Sequence, residues 1–382
     1  MNQQKAGNFL LAQAKKRKEN LNKVKELKIF QIEKEEEKSV FEKALDKLEI
    51  LEVVDEYDDM LEELYFARNA PHKFQYRNAK EIPAYQDFLK ELFGKKPLWE
   101  TGSWVYYPWT VKLIHFLPKD LHNEIRTSRN KNLITHKEQE KFRKFRVGIA
   151  GLSIGQSIAY TLAVNGGCET MHLADMDVIA ATNTNRIRAG FDSIGLNKAI
   201  FVSRLIYEIN PYAKLKLFTD GLIEENMDQF FSNIEAVVDE VDHLPTKLKI
   251  RQEAKKRGIP VLMASDVGDL VILEVERYDM DKKQALFNGK LDEEDIKLLE
   301  ANSGMDIMSK IFIKLQGKEN ISQRLLDSTL LIGKKLGGPP QLGSTAFLSG
   351  ISVAYALKKI SCGERLNLST IKVDLETHFI TK

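Results

Sequence analysis

Two glycines and the charged residues that follow them carry the first chemical signal. Gly151-Leu152-Ser153-Ile154-Gly155 comes after the apolar run 147–150 and before 156–165, which reads as a helix. Such a strand–turn–helix junction lets backbone approach a phosphate closely, and the helix start offers unpaired N–H groups and the positive end of its dipole. Asp175 stands near the expected spacing of about 20 residues, where an acidic side chain meets ribose hydroxyls. Asp175-Met176-Asp177, Asn183-Thr184-Asn185-Arg186 and Lys198 follow, and Asp242 lies beyond the apolar run 236–239. In a parallel sheet the loops after the strands share one edge, so these side chains would converge on one ligand. Arginine, lysine and a carboxylate around a nucleotide suit chemistry at phosphorus. Charge grows there on the phosphoryl oxygens and the departing pyrophosphate, and positioned cations and magnesium offset it. Hydride transfer needs no such clamp. The plain alternative is a polar loop with a solvated helix lysine.

The same five residues also match G-x-S-x-G, the nucleophile elbow of α/β-hydrolases, with Ser153 at its centre and a triad available from Ser153, Asp266 and His378. That reading leaves the Asn183, Arg186 and Lys198 cluster unexplained and stands as the second hypothesis. A non-catalytic nucleotide-binding scaffold is the third.

Positioning these groups requires an alternating architecture. Runs 147–150, 171–174, 215–218, 236–239 and 261–263 read as strands, with helices over 156–165, 199–209 and 245–258 between them. The predicted fold class is α/β: a Rossmann-like, mostly parallel sheet with helices on both faces, plus a helical N-terminal extension and a smaller C-terminal α+β part. The expected division is a charged arm over 1–50, an accessory region over 51–140, the nucleotide-binding core over 141–278 and an acceptor-side region over 279–382. Residues 8–50 lack proline and favour helix, with a thin apolar stripe at Leu10, Ala14, Leu21, Val24, Leu27 and Phe30. Residues 1–30 hold eight Lys/Arg against two Glu, and 31–70 hold fourteen acids against five bases, blocks that read as solvated helical faces. Trp99, Trp104 and Trp109, with Tyr106 and Tyr107, form an aromatic packing cluster.

The chain of 382 residues, 43% hydrophobic and 29% charged with net charge +2, is long enough for two or three domains and is neither fibrous nor wholly disordered. No run approaches the ~18 apolar residues of a membrane helix, and no secretory leader is legible, so a cytoplasmic setting is expected. Two cysteines exclude a disulfide framework and a four-cysteine zinc site. Cys168 reads as a small buried residue and Cys362 as a helix end.

Taken in order, Arg129-Asn130, G-L-S-I-G, A-D-M-D, T-N-T-N-R, Asn197-Lys198 and V-V-D-E-V-D resemble the ThiF family, adenylating enzymes related to ubiquitin-activating enzymes. The likeness spans about 126–278, with a weaker one over 339–363 where P-P-Q-L-G-S-T-A precedes an apolar helix. The resemblance implies an ATP- and Mg2+-dependent adenylyltransferase that turns a carboxylate into an acyl-adenylate with release of pyrophosphate. It further implies that Asp175 holds the ribose, that Asn183, Arg186 and Lys198 surround the triphosphate, with Gly151 and Gly155 beneath it, and that Asp242 binds magnesium. Arg129 corresponds to the family arginine that reaches the phosphates, in several members across a homodimer. The implied carboxylate is a ubiquitin-like protein tail, a peptide or a small acid such as one borne on a modified tRNA. The family loop G-x-G-G-x-G is here one residue shorter and lacks the middle glycines. The paired C-x-x-C zinc motifs are absent, and neither cysteine matches a thioester nucleophile.

Overall fold

The structure, a computed structural model, describes residues 3–23, 26–301, 305–366 and 369–379. Val24 of the apolar stripe lies outside them, as does the side chain of His378. Two compact units emerge: Met1–Asn22, Lys137–Ile209 and Ala213–Lys382 in the first, Lys23–His136 and Asn210–Tyr212 in the second.

The second unit is built on a four-stranded sheet of β1 (Lys28–Phe30), β2 (Glu52–Val54), β3 (Ser103–Tyr107) and β4 (Lys112–Phe116), in the order β1-β3-β4-β2. The stretch read from its composition as continuous helix is therefore interrupted: helices span Gln3–Asn20 and Glu35–Leu45, and β1 between them pairs antiparallel with β3, Phe30 opposite Trp104. The reason is tertiary. Phe30, Ile32, Phe41, Trp104, Tyr106 and Leu113 bury one another, and that apolar gain overrides helix propensity. Trp104 belongs to the cluster expected for the tryptophans, stacked on His115 at 4.3 Å, whereas Trp99 is largely exposed.

The first unit carries the seven-stranded sheet. Its strands are β5 (Arg146–Ala150), β6 (Thr170–Ala174), β7 (Lys214–Phe218), β8 (Ala236–Asp239), β9 (Val261–Val267), β10 (Leu270–Glu276) and β11 (Thr370–Asp374), in the order β11-β10-β9-β8-β5-β6-β7. Strands β5 to β9 run parallel in the doubly wound order, with the direction of winding reversing beside β5. Buried on both faces, β8 reads as an unbroken apolar run ending in Asp239. The five predicted strands are all present, and the predicted helices appear as Gly155–Val164, Lys198–Ile209 and Leu244–Arg257. β9 is longer than expected and turns back into β10, which pairs antiparallel with both β9 and β11. The C-terminal part thus contributes to the same sheet. Its long helix, Gly343–Ser361, packs on Gly155–Val164 at Gly350, where a Cβ would fall 2.7 Å from the Ser157 side chain. Cys168 is fully buried, and Cys362 caps the end of Gly343–Ser361. No helix among the described residues is long and apolar enough to cross a membrane.

Candidate active site

The loop after β5 is forced by its neighbours. Gly151 sits at φ +84°, and a Cβ there would lie 2.3 Å from the carbonyl oxygen of Glu240, so only glycine lets the loop cross the end of β8. Gly155 then opens the helix Gly155–Val164. The loop is pinned by Asp175 at the end of β6: its carboxylate accepts from Leu152 N–H at 2.6 Å and from Asp177 N–H at 2.8 Å. Burial pushes the Asp175 carboxyl above its ordinary value, against the opposing pull of Lys198 and the two N–H groups.

Lys198, almost wholly buried at the start of its helix, places Nζ 2.8 Å from Asp177 and 3.9 Å from Asp175. Asn197 fixes it there. Its side-chain oxygen caps the helix by accepting from Ala199 and Ile200 N–H, while its amide donates to the carbonyls of Asp175, Asp177 and Thr219. One side chain therefore ties the ends of β6 and β7 to the helix that carries the lysine.

Arg186 reaches back over the loop and donates from Nε to the Ser153 hydroxyl at 3.1 Å, and from its Nη1 to the Thr182 carbonyl and Asn185 Oδ1. Burial lowers the guanidinium from its usual value while the negative fields of Asp242 and Asp266 work the other way. Asn183 accepts Ala180 N–H and so shapes the turn ahead of Arg186. Asn185 donates to the Gln341 carbonyl, joining this loop to the segment before Gly343–Ser361. Asp242 is exposed beyond β8 and lines a pocket with Ile154 of the loop and with Asp266 of β9. Gly151, Gly155, Asp175, Asn183, Arg186, Lys198 and Asp242 are thus brought to one edge of the sheet. Arg129 belongs to the second unit, exposed in the short turn Ser128–Asn130.

Geometry argues against Ser153 as a nucleophile. Its hydroxyl faces a guanidinium, which cannot act as a base, and it lacks the left-handed backbone of a strained elbow. Asp266 accepts instead from the Ser349 hydroxyl at 2.5 Å.

A buried ionic layer beneath the pocket went unread in the sequence. The fully buried Arg251 donates to Asp239 and, at 2.7 Å, to Glu276, while Lys247 lies 3.3 Å from Asp239. Burial works against the charge on Arg251, but Glu276 and Asp239 outweigh it and hold the guanidinium above its usual value. Glu240, nine-tenths buried, accepts Ala264 N–H at 2.8 Å, and burial raises its carboxyl well above the usual range. The available signal was V-V-D-E-V-D, where Asp239 and Glu240 end an apolar strand and so had to find buried partners.

Residues 127–272 match the model of the ThiF family. An uncharacterized protein of Mycobacterium tuberculosis is 35% identical over 321 residues, 84% of this chain and 44% of its own length. The tRNA threonylcarbamoyladenosine dehydratase of Escherichia coli is 32% identical over 124 residues, 32% of this chain and 45% of that one. The chain thus spans less than half the length of these curated relatives. Among solved structures, that of E. coli tRNA N6-threonylcarbamoyladenosine dehydratase superposes with a TM-score of 0.45 at 19% identity, covering 63% of this chain and 95% of the other.

Proposed function

Residues 127–272 being a ThiF-family segment, we propose that the chain is an ATP- and magnesium-dependent adenylyltransferase that activates a carboxylate as its acyl-adenylate. The observation that carries this reading is the meeting of Arg186, Lys198 and Asp175 around the loop 151–155, within the field of Asp242. A nucleotide laid along the sheet edge meets the N–H groups of the loop and the start of Gly155–Val164 at its phosphates. Its ribose lies toward Asp175. The substrate carboxylate oxygen attacks the α-phosphorus, and the bond from that phosphorus to the bridging oxygen of pyrophosphate breaks. Arg186 and Lys198, with Asn183, offset the charge that gathers on the phosphoryl oxygens and on the leaving pyrophosphate. Both cations are already oriented by protein acceptors, Arg186 by Ser153 and Lys198 by Asp177, so little reorganisation is needed.

Magnesium fits the donor set. It takes one or two carboxylates and completes its shell with water and phosphate oxygens, and Asp242 supplies an exposed carboxylate beside the phosphate loop. Bound there, the ion would neutralise phosphate charge. On family likeness, Arg129 is a further cation for the phosphates, in several members one that reaches them across a homodimer. The same reading has the enzyme act as a homodimer in the cytoplasm on a peptide, a ubiquitin-like tail or an acid borne on tRNA. The exposed row Phe347, Ile351 and Tyr355 along Gly343–Ser361 supports self-association.

The test is exchange of labelled pyrophosphate into ATP with candidate carboxylates. Asp175→Ala is expected to weaken ATP binding, and Arg186→Ala or Asp242→Ala to lower exchange by about a hundredfold or more. Normal binding and exchange in all three variants would refute the assignment.

A further inference from the structure

Resting on the homodimer in that reading, we infer that two copies exchange their N-terminal helices, each docking on the acidic outer edge of the other's four-stranded sheet. The helix Gln3–Asn20 is the element that calls for a partner. From Lys5 to Asn20 every residue except Ala6 is exposed, and an uncovered helix of this length is only marginally stable in water. Its apolar residues are nevertheless ordered. Gly7, Leu10, Leu11 and Ala14 recur at the spacing of one helix face, and Leu11 is 72% exposed. Only the base of the helix is held. Arg17 donates to the carbonyls of Asp192 and Ile194, Asn22 accepts Asn197 N–H at 2.9 Å, and Leu21 packs against the core of the first unit. Beyond that anchor the apolar stripe runs out uncovered.

Charge identifies the surface that covers it. The helix carries five Lys/Arg against Glu19 alone. Residues 46–59 reverse that balance, with seven exposed carboxylates against Lys47. Glu52, Asp55 and Asp58 have partners in Lys112, His115 and Lys80, whereas Asp46, Glu49, Glu56 and Asp59 face no cation among the described residues. Between these acids lies an apolar rim. Val53 stands beside Leu113 in the register of β2 and β4, so the face that Leu113 buries continues to the edge, where Leu51 is 75% exposed and Val53 is exposed as well. β2 ends the order of the sheet, and its outer side pairs with no strand among the described residues. A basic helix with an apolar stripe thus matches an acidic edge with an apolar rim. An anionic membrane or a nucleic acid would meet the helix but leave the acidic edge without a role, whereas a second copy supplies both surfaces. The contact is isologous, each chain giving one helix and receiving one, and the row Phe347, Ile351 and Tyr355 takes no part in it.

The test mixes two full-length chains with different affinity tags, both carrying Cys362→Ser so that the buried Cys168 is the one native thiol left. One bears Leu11→Cys and the other Val53→Cys, and a short bismaleimide joins thiols that lie close together. A product bearing both tags is expected. Lys15→Glu, Lys16→Glu and Lys18→Glu in the first chain should lower its yield about tenfold, because like charges then face each other. Asp46→Lys, Glu49→Lys and Glu56→Lys in the second chain should restore it. A native chain that is dimeric by light scattering yet gives no two-tag product would overturn the exchange and leave the homodimer standing. So would a yield untouched by the charge reversal, or a cross-link formed only within a chain that carries both cysteines. Lysine-dependent binding to phosphatidylserine vesicles or to RNA, with no two-tag product, would overturn it in favour of that surface. A chain monomeric at every concentration would overturn the homodimer and the exchange together.

Discussion

Replacing Asp266 with asparagine should stabilise the protein at neutral pH and leave it unchanged in acid. The Asp266 carboxyl is mostly buried at the end of β9, and burial raises it to about 6 against the pull of the Ser349 hydroxyl and Arg186. In the unfolded chain the same group titrates near 3.8. A folded value above the unfolded one means that the native state holds the proton more tightly, so stability is full below about pH 4 and declines as pH rises toward 6. With 1.36 kcal/mol for each pH unit, a gap of about two units corresponds to about 3 kcal/mol of native stability forgone above pH 6. Asparagine keeps the acceptor for Ser349 and carries no charge, so the variant escapes that loss. Urea unfolding of the full-length native and Asp266→Asn chains at half-unit steps from pH 4 to 8 measures it. The difference should be near zero at pH 4, grow through pH 5, and level off at about 2–3 kcal/mol above pH 6.5. A difference independent of pH would refute the reasoning, because it would place the effect of the substitution in packing. A variant less stable at pH 8 would refute it also, since attraction to Arg186 would then exceed the cost of burial.

Two further substitutions probe the scaffold beneath the site. Gly151→Ala should cost about 1–3 kcal/mol from its positive φ, with the clash at the Glu240 carbonyl added, whereas Gly363→Ala, at φ +81° with open space around it, should cost the backbone strain alone. Thermal unfolding separates the two, and equal losses would show that the approach to β8 is unimportant. Arg251→Met should destabilise by about 3–5 kcal/mol, because it strands the buried carboxylates of Asp239 and Glu276. Denaturant titration decides, and a loss below about 1 kcal/mol would mean that those carboxylates are satisfied without it.

Much of the molecule was legible along the chain because the signals were local. The strands of the parallel sheet declared themselves as short apolar runs, since a strand covered on both faces has no polar side to show. Gly151, Asp175, Arg186, Lys198 and Asp242 all follow strands, so the shared edge could be anticipated from order alone. The stretch 28–30 was misread because a three-residue strand among lysines and glutamates carries no period of its own. Trp104 and Phe41, distant in sequence, decide its conformation.

What the amino-acid order determined, then, is which segments become strands and helices and which polar residues follow them, for these depend on neighbours a few positions away. Folding decided the partnerships. Asn197 gathers the ends of two strands, Arg251 lies between Asp239 and Glu276, and Asp266 of β9 accepts from Ser349 of the long C-terminal helix. Hydrogen bonds and buried charges act over a few ångströms of space whatever the separation along the chain, so these pairings exist only once the sheet has closed and water has been excluded.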